Sequence, residues 1–86
     1  MSPGNRRDRD THKYVLRDGR DVVMYGISED PEARLAEHQR NHRKPNLTMT
    51  VVGAAVTREA ALLWERQMIE QYCRNHGGER PRYNKV

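Results

Sequence analysis

Apolar residues fall into short runs divided by polar punctuation. Tyr14-Val15-Leu16 and Val22-Val23-Met24-Tyr25 are rich in β-branched and aromatic side chains, and Arg17-Asp18-Gly19-Arg20-Asp21 separates them. Asp18-Gly19 is a turn dipeptide, so the two runs read as a β-hairpin whose second strand closes at Gly26. Ser28-Glu29-Asp30-Pro31 then opens a helix. Asp30 can cap the free amides, Pro31 suits the first turn, and Glu32 complements the helix dipole. The helix is expected to run to Asn41 or His42, with Pro45 ending it. Leu47 to Val56 is a third β-rich stretch, with Gly53 as a bend or bulge. Thr57 caps a longer helix from Arg58 to about Asn75, with Glu59 in its first turn, and Gly77-Gly78 stops it. A short polar tail, Glu79 to Val86, carries Pro81 and Tyr83-Asn84.

The order is β-β-α-β-α plus a C-terminal tail. It predicts a small α/β (α+β) fold, a three-stranded, mainly antiparallel sheet flanked by helices. Residues 1–11, MSPGNRRDRDT, lack hydrophobic periodicity and read as a disordered basic arm. Residues 12–86 are left as one domain.

Composition narrows the class. The chain has 86 residues, 35% hydrophobic and 33% charged, and a mean hydropathy of -1.09. That supply of apolar surface sustains one small core. No apolar run approaches the ~20 residues of a membrane span, and no charged-then-apolar signal peptide opens the chain. One cysteine, Cys73, excludes an internal disulfide framework and any multi-cysteine zinc site, so a cytoplasmic protein is expected.

The net charge is +4 and the pI about 9.6, which suits a polyanionic partner. The distribution says more than the total. Between His38 and Arg58 there is no acid, yet Arg40, Arg43, Lys44 and Arg58 are there. After Glu70, Arg74, Arg80, Arg82 and Lys85 face Glu79 alone. A solvated face with its acids elsewhere is the plain alternative.

Some residues sit poorly in a purely structural reading. On the second helix Glu65 neighbours Ala61, Leu62, Met68 and Ile69, which places a carboxylate in an apolar stripe. Such a group must be paired, metal-bound or at the edge of the core, and an edge glutamate bridging an arginine is one of these options. On the first helix Arg34 and His38 share a face, which His42 extends. A guanidinium beside imidazoles can cradle a phosphate, and it is also what an ordinary polar face looks like. His38-x-x-x-His42 has metal-pair spacing, but no Glu follows His38 as in zincins, and it is not read as a zinc site. Tyr14 and Tyr25 fit sheet packing, Trp64 and Met68 fit a core, and Cys73 reads as a small buried apolar residue.

In their order these residues resemble the GIY-YIG nucleases. Tyr14-Val15-Leu16 resembles that family's first strand, and Met24-Tyr25-Gly26-Ile27-Ser28 its second. Asp30 to His38, with Arg34, resembles its first helix, Glu65 its acidic residue, and Tyr83-Asn84 its terminal asparagine. The similarity spans Tyr14 to Asn84. It departs from the family in two places. His12-Lys13 stand before Tyr14 instead of Gly-Ile, and Met24 holds the family's second tyrosine position, with Tyr25 one residue late. Adjacent strand residues point to opposite faces, so Tyr25 faces away from the site unless a bulge re-aims it.

The resemblance implies a metal-dependent endonuclease that hydrolyses DNA phosphodiester bonds with one Mg2+ (or Mn2+). It assigns catalytic roles to Tyr14, Tyr25, Arg34, His38, Glu65 and Asn84. Glu65 would be the metal ligand, and Arg34 would meet the phosphate charge. Tyr14 would orient or deprotonate water, with His38 a rival base. Asn84 would hold the phosphate or order the site. Arg40, Arg43, Lys44 and Arg58 would grip the DNA backbone without reading its sequence. Specificity would then come from DNA structure, a protein partner or a homodimer. RNA is the less favoured substrate. The alternative is a nucleic-acid-binding module that kept the scaffold and lost turnover.

Overall fold

The computed structural model describes residues 9–84. Strands β1 (Thr11–Asp18) and β2 (Asp21–Ser28) form the expected hairpin, followed by helix α1 (Pro31–Asn41), strand β3 (Thr48–Val56) and helix α2 (Arg58–Asn75). The fold is α+β, with an antiparallel sheet in the order β2-β1-β3. No described helix is long and apolar enough to cross a membrane.

The caps sit where the residue types place them. Asp30 Oδ1 accepts from the Ala33 amide at 3.2 Å, and Thr57 Oγ1 accepts from the Ala60 amide at 3.2 Å. Helix α1 ends before Pro45 is reached, with His42 as its cap and Arg43 in the left-handed region at φ 54. Strand β1 starts earlier than its apolar run suggested. Thr11 is fully buried and pairs with Val56, so the boundary of the folded unit lies at or before Thr11 and not after it. Residues 1–8 of the expected basic arm lie outside the described residues.

Two irregularities shape the sheet. Lys13 pairs with Val52 but Thr11 pairs with Val56, so β3 carries two extra residues around Gly53. Gly53 takes φ 67 there, a conformation that favours glycine, in keeping with the bend expected at this position. In the hairpin, Leu16 pairs with Met24 and Arg17 with Val22, which makes Val23 a bulge. Val23 is 1% exposed and joins the core with Tyr14, Leu16 and Leu47. Leu35 of α1, Met24, Met49 and Tyr83 pack against that cluster.

Directly opposed residues of an antiparallel pair share a face. Tyr14 opposes Gly26, and Val15 opposes Tyr25. Tyr14 and Leu16 therefore face α1. Tyr25 lies on the other face, against α2, where its ring meets Trp64 at 5.9 Å. The tail closes the outer edge of β2. The Tyr83 amide donates to the Val23 carbonyl at 2.8 Å. Asn84 Oδ1 accepts from the Tyr25 amide at 2.8 Å, and its Nδ2 donates to the Tyr25 carbonyl at 2.9 Å. These bonds continue the sheet ladder and cover an edge that would otherwise present free amides.

Gly26 is required by proximity. A Cβ there would fall on Cζ and Oη of Tyr14 and 2.9 Å from its Cε1. Replacing Gly26 with alanine forces the phenol or the strand to move. Overpacking of this kind costs about 1–3 kcal/mol, and urea unfolding of the G26A variant is expected to show that loss.

Candidate active site

The Tyr14 side chain passes beneath Gly26 and ends inside the protein, fully buried. Its hydroxyl is 2.9 Å from Nε2 of His38, which projects from the third turn of α1 and is itself 9% exposed. Burial raises the Tyr14 pKa above its ordinary 10.0, while the charge and hydrogen bonding of Arg34 pull the other way, and Glu65 and Glu37 push it up. Burial also lowers the His38 pKa from its ordinary 6.5, aided by His42 and Arg34 and opposed by Glu37. Near neutral pH a neutral phenol thus faces a neutral imidazole. With the phenol as donor, Nε2 accepts and the His38 ring proton sits on Nδ1.

Behind His38 the rings form a column. His38 and His42 stack at 5.9 Å with planes 14° apart, and Tyr83 of the tail lies on His42 at 3.7 Å and 3°. This column holds the His38 ring plane. It also argues against a zinc pair, since His38 Nε2 is already engaged with Tyr14 and the two imidazoles lie side by side.

The phenol borders an open cleft of about 720 Å³ between β2, α1 and the first half of α2. Arg34, Glu37 and Arg40 enter it from α1, and Arg58, Leu62 and Glu65 from α2. Arg34 Nε is 3.0 Å from Glu37 Oε1, an exposed pair that orients the guanidinium and adds little stability. Glu65 is half-buried. Burial raises its pKa above the ordinary 4.5, and the charge of Arg58 lowers it. Among the described residues it makes no ion pair, in contrast to the edge glutamate of the plain reading.

The donor set can be tested against the divalent ion that the family resemblance implies. Among the described residues no group of three or more histidine, cysteine or acidic side chains is arranged to hold a metal. Glu65 supplies a single carboxylate whose charge lacks a direct counterion. That fits Mg2+, which keeps most of its water and takes one or two carboxylates plus phosphate oxygens. It does not fit zinc, which needs three or four protein ligands.

The structure places Tyr25, Asn84, Arg43 and Lys44 outside the cleft. Tyr25 is not in the cleft, because the Val23 bulge precedes it without altering its register, and its ring packs on Trp64 and Tyr72. Met24, at the family's second tyrosine position, lines the cleft instead. Asn84 does not line the cleft. It is 8% exposed, and both ends of its amide are engaged with the Tyr25 backbone, so the ordering role is the one its geometry supports. Of the four basic residues assigned to the DNA backbone, Arg40 and Arg58 reach the cleft. Lys44 instead bridges Asp18 at 3.3 Å, and Arg43 is exposed beyond the end of α1, neither lining the cleft.

The column from Tyr83 through His42 was the part that sequence reasoning missed. His42 was placed on the right helix face, but nothing local connects it to a tyrosine near the end of the chain. Pro81, two residues before Tyr83, was the one signal in the sequence, and the structure shows it fully buried.

The lowered His38 pKa has a stability consequence. The unfolded imidazole takes a proton near pH 6.5, and the folded one resists it until lower pH. The contribution of neutral His38 is complete above that value and is lost as the pH falls through the folded pKa. Glu65, with a raised pKa, acts in the opposite sense as the pH rises from its ordinary value. Urea unfolding between about pH 7.5 and 5 is expected to show stability falling on acidification. His38→Gln keeps an acceptor for Tyr14 and is expected to flatten that fall.

No family model, no curated protein and no solved structure matches the chain.

Proposed function

We propose that the chain is a metal-dependent endonuclease that hydrolyses DNA phosphodiester bonds in the cleft between β2, α1 and α2. The observation that carries this is the convergence of Tyr14, Arg34, His38 and Glu65, from three separate elements, on one cleft and its inner wall. The phenol–imidazole pair also serves the core, but three arginines and an unpaired carboxylate gathered beside it have no packing role.

The chain's own groups divide the work. Glu65 would hold Mg2+, which when bound supplies charge stabilisation to the leaving oxygen. Arg34, with Arg40 and Arg58 near it, meets the negative charge that grows on the phosphate. As the water attacks, its proton would pass to the Tyr14 oxygen while the Tyr14 proton passes to His38 Nε2, so that the imidazole is the net base and no free phenolate forms. The water oxygen bonds to phosphorus as the bond to the leaving oxygen breaks. Asn84 holds the edge of β2 straight beside the cleft. Among the described residues no element resembles a sequence-reading helix, so DNA structure, a protein partner or a second copy would supply specificity. The half-buried, unpaired Cys73 is in keeping with a cytoplasmic setting.

One observation favours a second reading. Met24 occupies the cleft where the resembled family has a tyrosine, and Tyr25 points away. A nucleic-acid-binding module that has lost turnover would show this.

Nicking of supercoiled plasmid separates the two. The unmodified protein is expected to nick DNA with Mg2+ or Mn2+ and not in chelator. Glu65→Gln is expected to lower the rate by about 100-fold or more. No nicking with either metal, together with salt-sensitive DNA retention in chelator, would establish the binding module. RNA cleaved in preference to DNA would change the substrate.

A further inference from the structure

The face of the sheet opposite the cleft carries a second depression, of about 510 Å³. Its wall is aromatic. Tyr25 of β2 meets Tyr72 of α2 edge-on, with ring centroids 6.4 Å apart and planes at 72°. Tyr72 lies flat against His76, at 3.7 Å and 5°. The His76 ring is fixed, because Nδ1 donates to the Tyr72 carbonyl at 2.8 Å. His76 is an exposed residue, so this immobilised ring is open to solvent.

The surroundings are polar and basic. Arg20, at the tip of the hairpin, and Arg82, from the tail, line the depression, and Asp21 is its one acid. The ion pair of Arg82 with Asp18 is long, 3.8 Å, and exposed, so it leaves the guanidinium free to take another partner. The Asn75 carboxamide also lines it, with donors and an acceptor on one plane. Apart from Tyr25, which the geometry moved out of the cleft, none of these residues was assigned to cleavage.

A fixed, exposed ring presents a π-face whose orientation costs little further entropy on binding. Guanidinium groups beside it suit phosphate. The ligand that matches both is flat, aromatic and anionic. An apolar ligand would strip water from two arginines without replacing it. A base inside a duplex is already stacked on both faces and has none to offer. We propose that this platform binds an unpaired nucleotide, with the base on His76 and the phosphate between Arg20 and Arg82. The occupant is a single-stranded segment of nucleic acid, and a free mononucleotide shares its chemistry. Binding here needs neither metal nor the cleft, so it stands apart from the nuclease reading.

The test is fluorescence anisotropy of a short labelled oligo-dA strand with the full chain in chelator, beside a blunt duplex of the same length. The strand is expected to bind more tightly than the duplex. His76→Ala is expected to weaken strand binding about tenfold, the lower part of what one lost base stack costs. His76→Trp, which restores a flat ring, is expected to recover it. Arg20→Ala is expected to lower the salt dependence by one phosphate contact. Displacement by AMP would assign the platform to mononucleotides, and failure of AMP to displace the strand would assign it to strands. The proposal is overturned if the unmodified chain does not bind the strand, or if His76→Ala binds it as well as the parent. It is also overturned if Arg40→Ala with Arg58→Ala removes all strand binding while His76→Ala removes none.

Discussion

The hydroxyl of Tyr14 lies inside the protein, where an unpaired polar group costs about 1–3 kcal/mol. The bond to His38 Nε2 satisfies it, and much of the molecule is arranged around that one contact. β1 must pair with β2 in the register that sets Tyr14 opposite a residue without a side chain, Gly26. α1 must be capped at Asp30 and start at Pro31 so that position 38 turns inward. His42 must follow one turn later to back the His38 ring, and Tyr83 must return from the far end of the chain to cover His42. The same contact that completes the core also leaves a hydrogen-bonded phenol and imidazole beside a cleft.

Two elements divide their neighbouring residues between the faces of the sheet. On β2 the pleat sends Met24 and Gly26 to the cleft and Tyr25 to α2. On α2, successive residues are about 100° apart, so Trp64 turns to Tyr25 while Glu65 reaches the cleft. The apolar stripe around Glu65 is thereby reconciled with its charge. The carboxylate leaves the stripe at its border, half-buried, where its ionised form is disfavoured by burial and favoured by Arg58. A cation in the cleft would tip that balance further toward the ionised form.

Much of the fold was legible because its signals are local. Asp18-Gly19, Asp30-Pro31 and Thr57 act on amides within a few residues, and each marks the boundary its chemistry implies. Gly53 marks the bulge of β3 for the same reason. The site was legible in part. Tyr14, Arg34, His38 and Glu65 are the residues the family resemblance names, and the structure brings them to one cleft and its inner wall. The faces were harder to read. Tyr25 could point either way until the register was known, because a bulge one residue further along would have turned it. Asn84 and Tyr83 were out of reach of local reasoning, since their partners lie on β2 and α1 and no short-range pattern encodes them. The start of β1 was misjudged because Thr11 is polar, yet it is buried through pairing with Val56.

The tail is held to β2 by three hydrogen bonds whose partners are about sixty residues apart in the chain. Contacts of such long span close a large loop for few bonds, and segments of this kind open at lower free energy than the strands they cover. The amide of Tyr25 is protected by Asn84 alone on the outer edge of the sheet. Its hydrogen-exchange rate is therefore a clock for tail opening. The same opening lifts Tyr83 from His42 and releases the ring column behind His38. An exchange measurement at one edge amide thus reports how often the Tyr14–His38 pair loses its support while the hairpin stays folded.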